Sequence, residues 1–340
     1  MAVYILNIMM AGIDYSLADI DTRSCFFFTQ SAQSQLYERL KQEPNIKGAV
    51  ILSTCNRTEL YLSCTDEVEI NPFELLCRLM GADITLFQYL HRVRRGDEVF
   101  WHLCRLACGV KSQIWGEDQI ITQVKTAIAF ARENLVTDHN LEVLFRTAVT
   151  AAKKIKTTVR FSNADRSVAE KTLHVLNLHR TQIAPVKSVL VIGSGQVGRM
   201  VACELVKHGY SVAMTRRHHC AKSTDIPAGV NIRDYACRYE DLGDFEAVVS
   251  ATNSPHHTLT YEAFVNLPLR PGLLIDLAVP RDIDKRIAEL PGVSLKDIDS
   301  IAKAEVIADH TRQLMEIDAI IGKYNGEFTR WKQYRAFVTI

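Results

Sequence analysis

The segment 187–205 constrains the fold of this chain more than any other, and it reads KSVLVIGSGQVGRMVACEL. An apolar, strand-like run leads directly into Gly193, Gly195 and Gly198, and a helix-like pattern follows. In such a strand–turn–helix the glycines allow a tight turn, close approach of a pyrophosphate and close helix–strand packing, while the helix N-terminus supplies amide donors. We therefore predict a dinucleotide-binding Rossmann unit. The predicted cofactor contacts are Gly193, Ser194, Gly195, Gln196, Val197 and Gly198.

The end of the next predicted strand distinguishes between the two nicotinamide cofactors. NAD enzymes usually place an Asp or Glu there to bind the ribose hydroxyls. Here the segment 214–219 reads MTRRHH, so Arg216 and Arg217 stand where a 2′-phosphate would lie. Because guanidinium groups bind phosphate through paired hydrogen bonds, this end favours NADPH. The alternative is that both arginines are simply solvated.

The order of predicted elements divides the chain into three segments. After about residue 160, strands alternate with helices, which predicts a parallel sheet with right-handed crossovers. Residues 1–160 read as an α/β unit that becomes almost wholly helical after Asp97, a predicted helix cap. Residues 301–340 contain one long amphipathic pattern, predicted as a single helix. The expected class is therefore an α/β multidomain protein with domains 1–160 and 161–300 and a terminal helix.

Composition excludes several classes of protein. The 340 residues carry 40 basic and 39 acidic side chains, so any nucleic-acid contact must use a local basic patch. Nine cysteines without a CxxC pair argue against a disulfide framework or a zinc ribbon, and we expect no metal and a reducing, cytoplasmic location. No run of 18 apolar residues occurs, so we expect no membrane span.

A cysteine in a polar turn is the second informative feature. Between two strand-like runs the segment 53–58 reads STCNRT, with Cys55 two residues from Arg57. Most free cysteines are buried and inert, but a nearby guanidinium would favour the nucleophilic thiolate. A nucleophilic thiol together with an NADPH site suggests acyl reduction: the thiol captures an acyl group as a thioester, and hydride then gives an aldehyde.

Four segments in order carry a family resemblance: LSTCNRTELY, HLCRLACGVKSQIWGEDQIITQVK, VLVIGSGQVGRM and IDLAVPRDID. They resemble the signatures of the glutamyl-tRNA reductase family, and the resemblance covers nearly the whole chain. It implies attack on glutamyl-tRNA(Glu) by a cysteine, release of the tRNA, and reduction of the thioester by NADPH. The product would be glutamate-1-semialdehyde, in the first step of the C5 route to tetrapyrroles.

The resemblance also implies roles for residues outside the glycine motif. Cys55 matches the nucleophile and His102 a histidine important for activity, although a histidine at that helical position could equally face the core. Arg57 would pair with the substrate's side-chain carboxylate, and Glu117 suits the α-amino group by charge. The implied substrate contacts are Thr54, Asn56, Arg57, Ser112, Glu117, Asp118, Gln119 and Gln123.

The chain departs from the family pattern at several points. Lys111 stands where Asp is usual, Asp118 where Pro is usual, and Thr215 where Asn is usual. The family usually continues into a helical dimerisation domain, which this sequence would carry only in truncated form. The expected homodimer is therefore weakened, whereas an aminomutase partner for the unstable aldehyde is still implied. Two basic stretches, 91–95 and 153–160, are candidate tRNA contacts, and for 153–160 the alternative is an ordinary solvated helix face.

Two other functions are compatible with parts of the sequence. One is an NADP-dependent dehydrogenase of a small acid in which Cys55 is structural. The other is a tRNA- or partner-binding protein that has lost catalysis. The long N-terminal unit argues against the first, and the intact Cys55, Arg57 and glycine motif argue against the second.

The arginines after the second nucleotide strand generate a test of cofactor choice. The purified protein should use NADPH with a clearly higher kcat/KM than NADH, because Arg216 and Arg217 would bind the 2′-phosphate. Steady-state rates with each cofactor measure this. Equal efficiency with both cofactors would contradict the assignment.

Overall fold

The computed structural model describes residues 7–65, 70–161, 168–217, 226–240, 242–303 and 310–338. These residues form two compact units: one from 1–165 with 307–340, the other from 166–306. The boundary predicted from the segment 162–165 lies outside the described residues. The division at residues 160 and 300 therefore stays a prediction.

The first unit is built on an antiparallel sheet with strand order β2-β3-β1-β4. The third strand is buried along its whole length, because the sheet is covered on both faces. Its neighbours hold it in a register that pairs Gly12 with Glu59 and Asp14 with Arg57. The elements are β1 (Asn7–Asp14), α1 (Ile20–Cys25), α2 (Gln30–Leu40), β2 (Ile46–Ser53), β3 (Arg57–Cys64), α3 (Pro72–Met80), β4 (Arg92–Arg95), α4 (Asp97–Ala107), α5 (Gln119–Glu133) and α6 (His139–Thr158).

The second unit has the strand order of a Rossmann fold. Six of the described strands lie parallel in the order β10-β9-β8-β5-β6-β7, and apolar clusters cover both faces of the sheet. The nucleotide motif starts at the central strand, where the strand order reverses. The elements are α7 (Val168–Gln182), β5 (Ser188–Ile192), α8 (Gln196–Lys207), β6 (Ser211–Arg216), β7 (Val230–Asp234), β8 (Ala247–Ser250), α9 (Tyr261–Phe264), β9 (Leu273–Asp276), β10 (Ser294–Asp297) and α10 (Ile298–Lys303).

The last helix, α11 (Thr311–Val338), packs on the first unit. Phe328 is 2% exposed and its ring stacks on that of Phe100, with centroids 5.1 Å apart. Arg105 forms a two-pronged ion pair with Asp318, through nitrogen–oxygen distances of 3.0 and 2.7 Å. The apolar stripe seen in the sequence is thus used in covering the N-terminal core.

One expectation about secondary structure was wrong. Gly96, not Asp97, caps α4, and the Asp97 carboxylate instead accepts a hydrogen bond from Lys332. Within the predicted terminal pattern, α10 ends at Lys303 and α11 begins at Thr311, and residues 304–309 lie outside the described residues. The arginine-rich segment Arg92–Arg95 is an edge strand, which its charge concealed in the sequence.

Candidate active site

Cys55 lies in the tight turn that joins β2 to β3. The turn is closed by hydrogen bonds from the Thr54 amide to the Arg57 carbonyl at 2.8 Å and from the Asn56 amide to the Thr54 hydroxyl at 3.2 Å. The amide of Tyr15 binds the Asn56 carbonyl at 3.0 Å and anchors the turn to the end of β1. Cys55 keeps partial exposure, and the buried side-chain oxygen of Asn56 has no partner among the described residues. The turn thus presents a thiol beside an unused acceptor.

The environment of Cys55 disfavours the thiolate in the free protein. Burial raises the pKa of the thiol to about 11, and the Glu117 carboxylate adds to the rise, while Arg23 and Arg57 oppose it. Arg57 favours the thiolate, as its proximity in the sequence predicted, but burial and Glu117 outweigh it. The positive charge of Arg57 is largely compensated by the neighbouring Glu59 and Asp14 carboxylates. Arg23, on α1, was missed because nothing in the sequence relates it to the turn.

Arg57 is the centre of a buried charge network. It is 2% exposed, and its Nη1 lies 3.0 Å from a Glu59 carboxylate oxygen and 3.8 Å from one of Asp14. Its Nη2 donates to the Lys111 carbonyl and so ties the 109–118 loop to the sheet. The guanidinium already serves three protein groups, so a substrate carboxylate would have to share it. The pairing of Arg57 with the substrate's side-chain carboxylate therefore stays a prediction.

Glu59 links Arg57 to His102, and sequence reasoning missed it. Its carboxylate lies 2.9 Å from His102 Nε2 and accepts the Tyr61 hydroxyl at 2.6 Å. Burial opposes its ionisation, but His102, Arg57 and Tyr61 hold the pKa of Glu59 well below its usual range. A signal was available, because residues 57, 59 and 61 alternate along β3 and must share one face. Gly12 lies opposite, where a Cβ would come within 2.6 Å of the Glu59 side chain.

His102, on α4, is both a core residue and a member of this network. It is 5% exposed, and burial lowers its pKa despite the adjacent Glu59 carboxylate. We therefore assign a neutral ring that donates from Nε2 to Glu59. Its Nδ1 is buried and has no partner among the described residues. The ring offers an acceptor nitrogen whose orientation is fixed by a carboxylate.

The loop 109–118 brings the predicted substrate segment to the same sheet. It turns on Gly109, whose φ is +88° and whose missing Cβ would lie 2.7 Å from the Glu117 amide nitrogen. Ser112 is buried, and its carbonyl accepts the Tyr15 hydroxyl at 3.1 Å. Burial raises the pKa of Glu117, against the attraction of Lys156 and Arg57. Glu117 acts electrostatically on both Cys55 and Arg57, so these three groups share one site.

The remaining predicted contacts lie at the start of α5. Asp118 points away into solvent and pairs with Lys156 at 2.7 Å. Lys156 also donates to the Gly116 and Glu117 carbonyls, so it fixes this loop and is not part of a freely solvated basic face. Gln119 and Gln123 are one helical turn apart and partly buried. The structure therefore groups Glu117 with Cys55 but directs the Asp118 carboxylate elsewhere.

The glycine motif of the second unit fits a dinucleotide pyrophosphate. Gly193 has a φ of +110°, and its amide donates to the Thr215 hydroxyl at 3.1 Å. A Cβ on Gly198 would overlap the Gly193 carbonyl, so helix and turn can meet only at glycine. A Cβ on Gly195 would meet nothing within 4 Å, which leaves open space before the N-terminus of α8. Ser194, Gln196 and Val197 complete the turn, and the Ser194 carbonyl accepts Arg199 at 3.0 Å.

Two arginines stand at the end of β6, where the sequence predicts contact with a 2′-phosphate. Arg216 ends the strand and Arg217 follows, and both are exposed. The Arg217 guanidinium lies over the Tyr235 ring, 4.5 Å from its centroid. The histidines at 218 and 219 lie outside the described residues. The ribose end of a bound dinucleotide would therefore meet positive charge.

The described residues contain no group of three or more His, Cys, Asp or Glu side chains arranged to hold a metal ion. Their helices include none that is long and apolar enough to cross a membrane.

The fold and the site define a nucleotide-dependent enzyme of two units, with a thiol-bearing α/β unit and a Rossmann unit. Comparison with known proteins gives the family. Residues 11–159 match the model of the glutamyl-tRNA(Glu) reductase N-terminal domain, and residues 177–304 match that of shikimate/quinate 5-dehydrogenase. The chain belongs to the glutamyl-tRNA reductase family.

The relatives are close over nearly their whole length. The glutamyl-tRNA reductase of Alkaliphilus oremlandii is 47% identical, with 96% of this chain and 97% of that protein aligned. That of Acetivibrio thermocellus is 48% identical, with 97% and 98% aligned. A solved glutamyl-tRNA reductase structure from Methanopyrus kandleri is 27% identical with a TM-score of 0.48, covering 96% of this chain and 80% of that one.

The buried network predicts a large stability cost at Glu59. Glu59→Gln should lower the free energy of unfolding by about 3–5 kcal/mol at neutral pH, because Arg57 is left buried without its closest charge partner. The folded-state pKa of Glu59 is depressed, so its contribution is present above about pH 4.3 and lost as pH falls further. Urea unfolding followed by tryptophan fluorescence measures this, since all three tryptophans (Trp101, Trp115 and Trp331) lie in the first unit.

Glu43→Gln is the matched control for that experiment. Glu43 forms an ion pair of similar length, 2.9 Å, with the exposed Arg78, so the cost should stay within about 1 kcal/mol. A Glu59→Gln protein no less stable than this control would show that the network is dispensable for folding.

The effect of Glu117 on the thiol is testable without substrate. Glu117→Gln should move the midpoint of Cys55 alkylation below its wild-type value near pH 11, because a negative charge beside the thiol is removed. Iodoacetamide labelling across pH, read by mass spectrometry of the peptide that contains Cys55, gives the midpoint. Asp118→Asn is the control and should leave it unchanged, since that carboxylate faces Lys156. An equal shift in both variants would refute a specific role for Glu117.

Proposed function

We propose that this protein catalyses the NADPH-dependent reduction of glutamyl-tRNA(Glu) to glutamate-1-semialdehyde with release of tRNA. This is the first step of the C5 pathway of tetrapyrrole biosynthesis. The observation that carries the proposal is the partly exposed Cys55, held in a closed turn beside Glu117 and the Arg57 network, in a member of this family. The alternative, a dehydrogenase of a small acid, is not favoured, because the family relationship spans both units.

The first chemical step is transfer of the glutamyl group to Cys55. A bond forms between Sγ and the ester carbonyl carbon, and the bond from that carbon to the ribose oxygen breaks. The thiol proton ends on the ribose hydroxyl of the released tRNA. Covalent capture divides one difficult reduction into two easier steps. This half-reaction needs only the first unit.

Substrate binding can activate the thiol. We assign Glu117 to the α-ammonium group, because its carboxylate is partly buried and lies within electrostatic reach of Cys55. Burial is the larger cause of the raised thiol pKa, and pairing with the ammonium would cancel the smaller contribution from Glu117, so bound substrate would favour the thiolate. Thr54, Asn56, Ser112, Gln119 and Gln123 are proposed as polar contacts to the glutamyl group, and Arg57 as a shared partner of its carboxylate.

His102 is proposed as a proton-handling group. Its Nδ1 is a buried acceptor, and Glu59 fixes the ring from the opposite nitrogen. A neutral imidazole held in one orientation can accept a proton or polarise a carbonyl. The proposed role of Asp118 in substrate binding is indirect: its ion pair with Lys156 steadies the loop.

NADPH, when bound, supplies the hydride that converts the thioester to the aldehyde. We propose that residues 193–198 hold its pyrophosphate, with the open space at Gly195 admitting the phosphates, and that Arg216 and Arg217 hold the 2′-phosphate. We assign residues 1–160 to catalysis and glutamyl-tRNA binding and 161–300 to the cofactor. A cytoplasmic location, transfer of the aldehyde to an aminomutase and a homodimer complete the proposal.

Replacement of Cys55 tests the proposal directly. Without NADPH, the wild type should release tRNA from glutamyl-tRNA and retain a glutamyl thioester; with NADPH it should form semialdehyde. Cys55→Ser should lose both reactions by at least about a thousandfold, because the nucleophile is gone. Cys25→Ser, which changes an exposed thiol, should keep wild-type rates within twofold. Semialdehyde formation by Cys55→Ser at the wild-type rate would overturn the proposal.

A further inference from the structure

The edge strand β4 places two arginines on the active-site face of the first sheet. Residues paired across neighbouring strands point to the same face. The register pairs Arg92 with Gly12, which pairs with Glu59 on the next strand. It likewise pairs Arg94 with Met10, and Met10 with Tyr61. Both arginines therefore extend the rows that carry the buried network.

Two further cations approach this edge from other elements. The backbone carbonyl of Lys111 accepts a hydrogen bond from Arg57. Arg57 in turn is two residues from Cys55 in the chain. Arg105, one turn after His102 on α4, also lies here. All three arginines act electrostatically on Lys111. Burial lowers the pKa of Lys111, and Arg105, Arg94 and Arg92 lower it further. The four cations thus form one cluster at the rim of the site.

Most of this positive charge is not compensated within the protein. Arg105 is neutralised by its ion pair with Asp318. Arg92, Arg94 and Lys111 form no ion pair within 4.0 Å in the described part of the chain, although Asp14 attracts Lys111 from further away. Arg94 donates a hydrogen bond to the soft acceptor Met10 Sδ at 3.7 Å and acts electrostatically on His102 and Tyr61. Three like charges held together cost free energy, which an arriving anion would recover.

We propose that Arg92, Arg94 and Lys111 bind the phosphates at the 3′ acceptor end of the tRNA. The inference rests on the proposed function. The ester must reach Cys55 on the terminal ribose, so the nearest phosphate lies within one nucleotide of the thiol. The overall charge of +1 provides no general attraction, and a local patch must supply the affinity. The cluster adjoins the thiol's turn through the Arg57–Lys111 hydrogen bond, which places it where those phosphates must pass.

Arg92→Gln and Lys111→Gln, singly and together, test the inference. Arg94 is left intact because it adjoins the buried network. The probe is an uncharged tRNA(Glu) acceptor minihelix ending in CCA, with binding followed by fluorescence anisotropy over a range of KCl. Each substitution should raise Kd about 5–10-fold and reduce the slope of log K against log salt by about one. With glutamyl-tRNA, KM should rise in parallel while kcat stays within twofold.

Lys47→Gln is the matched control. Lys47 is an exposed lysine on β2, at the opposite edge of the same sheet, so its loss should leave Kd unchanged. A minihelix that lacks the CCA end should bind weakly and equally to wild type and variants.

Three results would overturn the inference. The variants could bind the minihelix as tightly as the wild type does. They could be weakened equally with and without the CCA end, which would place the contact elsewhere on the RNA. They could lose the preference for glutamyl-tRNA over the same tRNA carrying glutamine, which would make the cluster a carboxylate site. Failure of the proposed function looks different: there the wild type itself would not release tRNA from glutamyl-tRNA.

Discussion

The ion pair between Arg57 and Glu59 is the interaction on which the first unit depends. Both side chains are almost fully buried, so each charge is tolerable only because the other lies 3.0 Å away and further hydrogen bonds satisfy the remaining donors and acceptors. Those further bonds reach His102 on α4 and the Lys111 carbonyl in the loop that precedes α5. One charged pair on β3 therefore fixes two other elements relative to the turn that carries Cys55.

This network orders the site without making the thiol reactive. The positive charge of Arg57 is paired with the Asp14 and Glu59 carboxylates. Burial and the Glu117 carboxylate together leave Cys55 protonated in the free protein. Such a thiol is protected from unwanted oxidation or alkylation, because the thiolate is the reactive form.

Much of the organisation could be predicted from sequence, because it rests on local patterns. The glycine spacing after an apolar strand predicted the Rossmann unit, and both that unit and the family are confirmed. The raised pKa of Cys55 could not be predicted, since chain proximity to Arg57 says nothing of burial or of the Glu117 carboxylate. Glu59 escaped notice for the same reason, although its alternation with Arg57 was visible. In the sequence Arg92–Arg95 is only a basic cluster, and strand pairing in the structure shows which face of the sheet each side chain occupies.

The sequence by itself determined the cofactor fold, the residue types available for chemistry and the order of the two units. These follow from backbone and side-chain properties within a few residues, such as the freedom of Gly193 to adopt a positive φ. Only the tertiary structure decided which charges meet. The pKa of Cys55, the neutral state of His102 and the partners of Arg57 depend on burial and on short distances between residues up to about sixty positions apart. Electrostatic energy varies with distance and surroundings, not with position along the chain.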